Sequence, residues 1–399
     1  MTDGTAVAMG SDNIPVGAWE LPEELQLLRE TVARFMQQDV RPIEEKQPHD
    51  AFKLPPEDLA LLQNKAKDLG LWCLASPEQY GGGGLSLLAQ VIVAEEAAKC
   101  RMGAYVPACG AFGIDPPSVI WLGNDTQRQK YGVQGIAKGK KCFVAISEAS
   151  GGSDPARKIQ TRAVRDGDSY VINGSKMWIT AAGEADWGIV FARTGEAGKG
   201  DGITAFIVDR DSPGITAKEI GVIRSYSPFE LVFENVRIPA ENRLGDEGQG
   251  FAICQKWLVH ARVPYSAAVI GIGQEALRIA IEWARERHVH KSLLADKQAI
   301  QWMIADSEIE LRAARLLTWQ AAWNGDLGKD IKTDASIAKV YATETAGRVI
   351  DRCVQILGAM GVAKEMPLER WYRELRIKRV GEGPSEVQRM VLARELLKG

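Results

Sequence analysis

The stretch Arg379-Val380-Gly381-Glu382-Gly383-Pro384-Ser385-Glu386-Val387-Gln388-Arg389 sets one carboxylate on a glycine-flanked turn immediately before a helix. Met390 to Leu397 continue the helical pattern, and Pro384 suits its first turn, where a missing N–H breaks no hydrogen bond. Glu382 therefore falls just outside the helix. Glycine on both sides clears side chains from its surroundings and opens backbone angles closed to other residues. In a tight, largely apolar pocket the charged form of such a carboxylate is desolvated, which raises its pKa toward the range useful for taking a proton from carbon. From these residues alone, Glu382 and Glu386 read equally well as solvated side chains favouring a helix N-terminus. The rest of the chain decides between the two readings.

The 399 residues are 45% hydrophobic and 25% charged, the composition of a globular protein with two or three structural regions. A formal net charge of −3 provides no basic field for nucleic acid or for an anionic membrane surface. No apolar run approaches the roughly 20 residues that span a bilayer. Met1 to Glu20 is acidic, arginine-free and without a signal-peptide core, so a cytoplasmic protein of bacterial type is expected. The six cysteines form no C-x-x-C pair and read as buried thiols. His288 and His290 lie two apart, the wrong spacing for one helix face, and no metal site is expected.

From Leu21 the pattern is helical, with Leu25, Leu28, Val32, Phe35 and Met36 on one face and Arg41-Pro42 as its expected end. A second helix follows Pro55-Pro56-Glu57-Asp58 and closes at Gly70, and helical material returns over Leu87 to Lys99, Ser118 to Leu122 and Asp125 to Tyr131. The composition then changes. Short β-rich segments run from Cys142–Ile146 to Phe229–Phe233, many separated by turns such as Asp166-Gly167, Asn173-Gly174 and Pro213-Gly214, and suggest a sandwich or small barrel. After Asp246-Glu247-Gly248-Gln249-Gly250, helices are expected over Phe251 to Arg285, Gln298 to Asn324, Ala335 to Leu357 and Ser385 to Leu397. Their length suits an antiparallel bundle with part of its apolar surface against other subunits. The fold class read here is α+β: an extension over 1–20, a helical N-terminal domain over 21–140, a middle β-domain over 141–246 and a C-terminal four-helix bundle over 247–399.

Several motifs now converge. Asp125-Thr126-Gln127-Arg128-Gln129-Lys130-Tyr131, Ile146-Ser147-Glu148-Ala149-Ser150-Gly151-Gly152-Ser153-Asp154, Asn173-Gly174-Ser175-Lys176-Met177-Trp178-Ile179-Thr180 and Glu230 to Pro239 follow one another in order. Gly245-x-x-Gly248-Gln249-Gly250-Phe251, Gln355 to Gly361 and Gly381-Glu382-Gly383 complete the set. Together, and in this domain order, they resemble the acyl-CoA dehydrogenase flavoprotein family from about Leu21 to Leu397.

The resemblance implies FAD-dependent α,β-dehydrogenation of an acyl-CoA thioester. Glu382 would be the α-proton base, flavin N5 the hydride acceptor, and a flavin ribityl hydroxyl with the Glu382 N–H the donors to the thioester oxygen. It places Ser147 and Thr180 at the flavin edge near N5, Trp178 against the isoalloxazine ring and Ser153 on the pyrophosphate. Taken singly, Trp178 reads more readily as a core residue, and Ser147 could be a plain turn hydroxyl; only the joint match reverses the reading of Trp178. Arg287, Gln298 and Gln355 align with residues that reach FAD across a subunit boundary, and Gly358 and Glu386 join the cofactor set. Arg262 and Gly383 belong to the substrate side. A homo-oligomer, a dimer of dimers, and an electron-transfer flavoprotein as acceptor follow from the same likeness.

The chain departs from the family at four places, one of them Val259, where an aspartate often stands three residues before Arg262. His290-Lys291 stands where Phe-Gly is usual, Pro384 replaces a common Thr, and Gly381 replaces a Tyr frequent in straight-chain enzymes. The last change predicts a wider pocket and a branched or cyclic acyl group. Arg101 could instead face an acidic acyl tail, but it reads more readily as a plain surface arginine. Two other functions fit the same fold: a flavin monooxygenase or nitroalkane-oxidase-like enzyme, whose relatives usually lack this glutamate, and a non-catalytic partner subunit.

Overall fold

The computed structural model describes residues 8–9, 12–13, 21–196 and 200–398, in two compact units. The extension over 1–20 otherwise lies outside the described residues. Among those described, no helix is long and apolar enough to cross a membrane.

The helical unit comprises Met1–Gly70, Leu85–Phe112 and Val259–Gly399. Its main helices are α1 (Glu23–Phe35), α2 (Pro56–Asp68), α3 (Leu87–Ala97), α4 (Gly250–Glu286, from Val259 onward), α5 (Gln298–Asp326), α6 (Lys332–Leu357), α7 (Leu368–Lys378) and α8 (Ser385–Leu396). Small residues dominate the contact faces. Ala276, Ala280 and Ala284 of α4 meet Leu311 and Ala314 of α5 and Ala342, Ala346 and Val349 of α6 in one core that also holds Trp371 and Leu375. A second core joins Leu25 of α1, Leu88, Val91 and Ile92 of α3, and Ala321, Ala335 and Ala338. The N-terminal helices thus belong to the same compact unit as the C-terminal bundle.

The first helix does not stop at Arg41-Pro42. After Phe35 it widens into a π turn, Met36–Val40, and resumes as Arg41–Glu44 with Pro42 in the first turn, where its missing N–H is harmless. Pro384 sits one residue earlier than expected, as the cap before Ser385. Glu44 is buried and accepts the N–H groups of Arg101 and Met102, both at 2.8 Å. Its carboxylate also takes a hydrogen bond from Cys109, whose sulfur lies 4.0 Å from that of Cys100, a pairing that spacing did not disclose. All six cysteines are free thiols.

The second unit comprises Leu71–Gly84 and Gly113–Leu258 and holds an eight-stranded sheet. Its strands are β1 (Cys142–Ala145), β2 (Arg162–Asp166), β3 (Ser169–Thr180), β4 (Trp187–Arg193), β5 (Ile203–Asp209), β6 (Ile215–Glu219), β7 (Pro228–Pro239) and β8 (Arg243–Leu244). The order is β8-β5-β4-β2-β3-β7-β6, with β1 parallel beside β4. Phe143, Val190 and Phe206 from one half share a core with Ile172, Leu231 and Phe233 from the other, so this single sheet folds over its own interior in barrel fashion. The opposite faces of β4 and β5 are covered too, by Tyr131 and Ile253 among others, which is why both strands read as unbroken apolar runs.

Gly271 of α4 marks where α4 and α3 touch backbone to backbone, since a Cβ there would stand 1.9 Å from the Glu95 carbonyl oxygen. Gly271→Ala is therefore expected to destabilise by about 1–3 kcal/mol through overpacking, read as a lower urea midpoint with unchanged slope.

Candidate active site

Glu382 lies on the turn between α7 and α8 with φ +56°, in the left-handed region that non-glycine residues rarely occupy. Gly383 follows at φ +87°, and a Cβ on it would meet Gln388 Nε2 at 2.5 Å. Both conformation and space demand glycine there. Three buried side chains hold this turn. Lys339 of α6 donates to the carbonyl oxygens of Gly383 (2.8 Å) and Arg379 (3.1 Å). Arg262 of α4 donates through Nε to the Glu382 carbonyl at 2.9 Å, and Gln388 Nε2 reaches the carbonyls of Glu382 and Gly383 at 3.3 Å. Gln388 is itself fixed by Ser336 Oγ, 2.9 Å from its Oε1. The Glu382 N–H meets no acceptor among the described residues, which leaves it available to a ligand oxygen.

The Glu382 side chain keeps some contact with solvent, but its Oε2 is enclosed and has no hydrogen-bond partner among the described residues. Burial pushes its carboxyl above the usual range, against the opposing charges of Arg262, Lys378 and Lys339. Lys378 is buried between aromatic faces, its Nζ 4.2 Å from the Tyr105 ring centre and 4.1 Å from that of Tyr265. Burial, with the nearby Arg262 charge, brings Lys339 down to about 8. The room that Gly381 was expected to open is not empty: a Cβ there would meet the Tyr265 hydroxyl oxygen at 3.0 Å. Lys339, Lys378, Tyr105, Tyr265 and Gln388 escaped the reading of the sequence. A signal existed for Lys339, which interrupts the small-residue face of Ala335, Ala338, Ala342 and Ala346 at helical spacing.

In the sheet unit, β3 and β7 lose register between Lys176 and Ile179, and the bulge carries Trp178 at φ +66°. The indole is 53% exposed, unusual for so large an apolar group, and Thr180 beside it is exposed as well. A core reading of Trp178 is thereby excluded. Ser147 sits next to this bulge, its carbonyl accepting the Met177 N–H at 2.9 Å, while Ser153 lies exposed on the following turn. The turn is pinned from beneath. Buried Glu148 accepts the N–H groups of Gln160 (2.7 Å) and Thr161 (3.0 Å) and the ammonium of fully buried Lys176 (2.9 Å). Burial works against the Glu148 charge, but Lys176 and these donors hold its carboxyl below the usual range. Burial draws Lys176 down to about 8. An exposed indole on a strained bulge, flanked by two hydroxyls, fits a planar aromatic cofactor.

Arg287, Gln298, Gln355, Gly358 and Glu386 are all exposed positions of the helical unit. No hydrogen bond among the described residues joins Arg287, Gln298 or Gln355 to the Glu382 turn. After Arg287 the chain makes a two-residue hairpin, His288–Val289 against Ser292–Leu293, with His290 at φ +50° and Lys291 at φ +70°. The unusual pair thus fills a turn that normally selects Asn-Gly. Arg101 is only half-exposed, and its Nε and Nη1 are buried without hydrogen-bond partners among the described residues, so it is no plain surface arginine.

Comparison with known sequences agrees with this architecture. Residues 22–140 match the acyl-CoA dehydrogenase N-terminal domain, 142–236 the middle domain and 248–397 the C-terminal domain. The chain belongs to the acyl-CoA dehydrogenase family. It is 38% identical to the mitochondrial short-chain specific acyl-CoA dehydrogenase of Rattus norvegicus, over 95% of this chain and 91% of that one. It is 34% identical to a probable acyl-CoA dehydrogenase of Bacillus subtilis, over 95% and 100%. Among solved structures, butyryl-CoA dehydrogenase of Megasphaera elsdenii superposes with a TM-score of 0.84 at 32% identity, covering 96% of this chain and 100% of that one.

Removing one partner of a buried ion pair leaves the other charge uncompensated, at a cost of about 3–5 kcal/mol. Lys176→Met is expected to lower unfolding stability by that amount, measured by urea denaturation.

Proposed function

We propose that this protein is an FAD-dependent acyl-CoA dehydrogenase in which Glu382 removes the α-proton of the thioester. The observation that carries this reading is the Glu382 carboxylate, whose Oε2 is enclosed without a hydrogen-bond partner, on a left-handed turn whose N–H meets no acceptor among the described residues. A desolvated carboxylate is a stronger base, and the adjacent N–H provides a donor for the charge that develops on the thioester oxygen. Bound FAD supplies the hydride acceptor. Trp178 would pack on the flavin ring, Thr180 and Ser147 would donate at its edge, and Ser153 would bind the pyrophosphate. Arg287, Gln298, Gln355, Gly358 and Glu386 form the cofactor set of the helical unit, and an electron-transfer flavoprotein is the proposed acceptor. Arg262 orients Glu382 through its carbonyl, and Gly383 lets the turn form.

The acyl group is proposed to be short, straight or singly branched. The Tyr265 hydroxyl stands beside Gly381, 3.0 Å from where a Cβ would lie, which argues against a large ring there, and the rat relative is named as short-chain specific. An anaerobic spectrum of the purified protein tests both points. Butyryl-CoA and isobutyryl-CoA should bleach the oxidised flavin band faster than octanoyl-CoA or cyclohexanecarbonyl-CoA. In Glu382→Gln, with flavin retained, the bleaching rate should fall by about 10²–10⁴. Flavin that no acyl-CoA bleaches, or that bleaches equally in both proteins, would overturn the assignment.

Abstraction needs the ionised carboxylate, and burial raises its pKa, so kcat/KM should rise with pH through an apparent pKa above the usual carboxylate range. Lys378→Met removes a charge that favours ionisation and should move this rise to higher pH.

We further propose a homo-oligomer. Trp302 (62% exposed), Ile309 (65%) and Leu316 (44%) recur every seven residues along α5, an apolar stripe on one face. Ile309→Glu should reduce the assembly mass in light scattering.

A further inference from the structure

We propose that Arg224 is a positioning residue for the flavin, acting through Thr180. Its guanidinium fixes the Thr180 hydroxyl as a hydrogen-bond donor toward an acceptor edge of the ring and sets a permanent positive charge behind that donor. The inference rests on the reading of Thr180 as a flavin contact.

Arg224 belongs to the loop between β6 and β7 and is only 7% exposed. Its Nη2 donates to Thr180 Oγ1 at 3.1 Å, and the Tyr226 ring lies 5.9 Å from its guanidinium carbon. The loop returns to the sheet at Pro228, the residue that pairs with Thr180 across β3 and β7. A guanidinium has no lone pair to offer, so it can only donate. The single proton of the hydroxyl must then go to another acceptor, and no other group among the described residues hydrogen-bonds this hydroxyl. Thr180 is exposed, two residues beyond the exposed Trp178. The result is a donor with its direction already chosen, at the surface beside an unburied indole.

The chemistry of the ring gives this arrangement a consequence. Reduction brings an electron pair and negative charge onto the flavin. Hydride arriving at N5 turns that lone pair into an N–H, but a ring carbonyl oxygen beside it stays an acceptor; a hydroxyl donor to that oxygen, backed by a fixed cation, interacts more strongly with the reduced form than with the oxidised one, and charge close to the ring tunes its electronics. Arg224 thus favours reduction without touching the ring.

The test uses FAD-loaded wild type, Arg224→Met, Arg224→Lys, Thr180→Val and the double variant Arg224→Met/Thr180→Val. Each is equilibrated anaerobically with a two-electron redox dye, and FAD affinity is measured separately by titrating apoprotein. Arg224→Met and Thr180→Val should each shift the reduction equilibrium about tenfold toward the oxidised form, about 30 mV for a two-electron couple, read on protein that the titration shows to be saturated with FAD. Arg224→Lys should recover most of the shift. The double variant should shift little further than Thr180→Val alone, because the two residues act as one unit. An unshifted Arg224→Met, or additive shifts in the double variant, overturns the proposal while leaving Thr180 as a flavin contact. An unshifted Thr180→Val with FAD bound overturns the reading of Thr180 itself. If Arg224→Met loses FAD, Arg224→Gln and Arg224→Lys decide in its place: equilibria equal to wild type in both refute the role.

Discussion

The site depends on one buried ammonium. Lys339 is fully enclosed, yet it spends its donors on two main-chain carbonyls, those of Arg379 and Gly383, at the two ends of the turn that carries Glu382. Carbonyl ligation is a weak reward for burying a cation, and burial accordingly lowers its pKa to about 8. What the bond secures is geometry. With Arg262 and Gln388 on the remaining carbonyl positions, a glutamate is held in a backbone conformation it would otherwise leave. The strained turn is stable only because the surrounding helices over-determine it.

The two units use a common device on different chemistry. In the sheet unit, the buried Lys176–Glu148 pair anchors the Ser147–Ser153 turn, and a bulge in β3 turns Trp178 outward. In each case a buried lysine fixes main chain beside a candidate functional group. The charges about Glu382 then act in opposite senses. Burial raises its carboxyl, while Arg262, Lys378 and Lys339 oppose the rise. The balance leaves a carboxyl that is both desolvated and ionisable.

Much of the fold was legible. Long runs of Ala, Leu and Ile at helical spacing located α4, α5, α6 and α8 to within a few residues, because periodicity survives any arrangement of neighbours. The first helix was misjudged at Pro42, since a wider turn can carry proline through where a regular helix cannot. The neighbour of Gly381 was not legible for a different reason: Tyr265 lies more than a hundred positions away on α4, and nothing in the local sequence announces it.

By itself the sequence determined the order of helical and β regions, the family resemblance and the glycine-flanked Glu382, since these reside in local spacing and residue type. Tertiary structure alone decided that the Glu382 Oε2 is enclosed, that Trp178 is exposed, that Lys339 and Lys176 brace the two turns, and that the Tyr265 hydroxyl stands beside Gly381. Burial, electrostatic shift and shape are properties of groups brought together from distant parts of the chain, and no spacing within one segment encodes them.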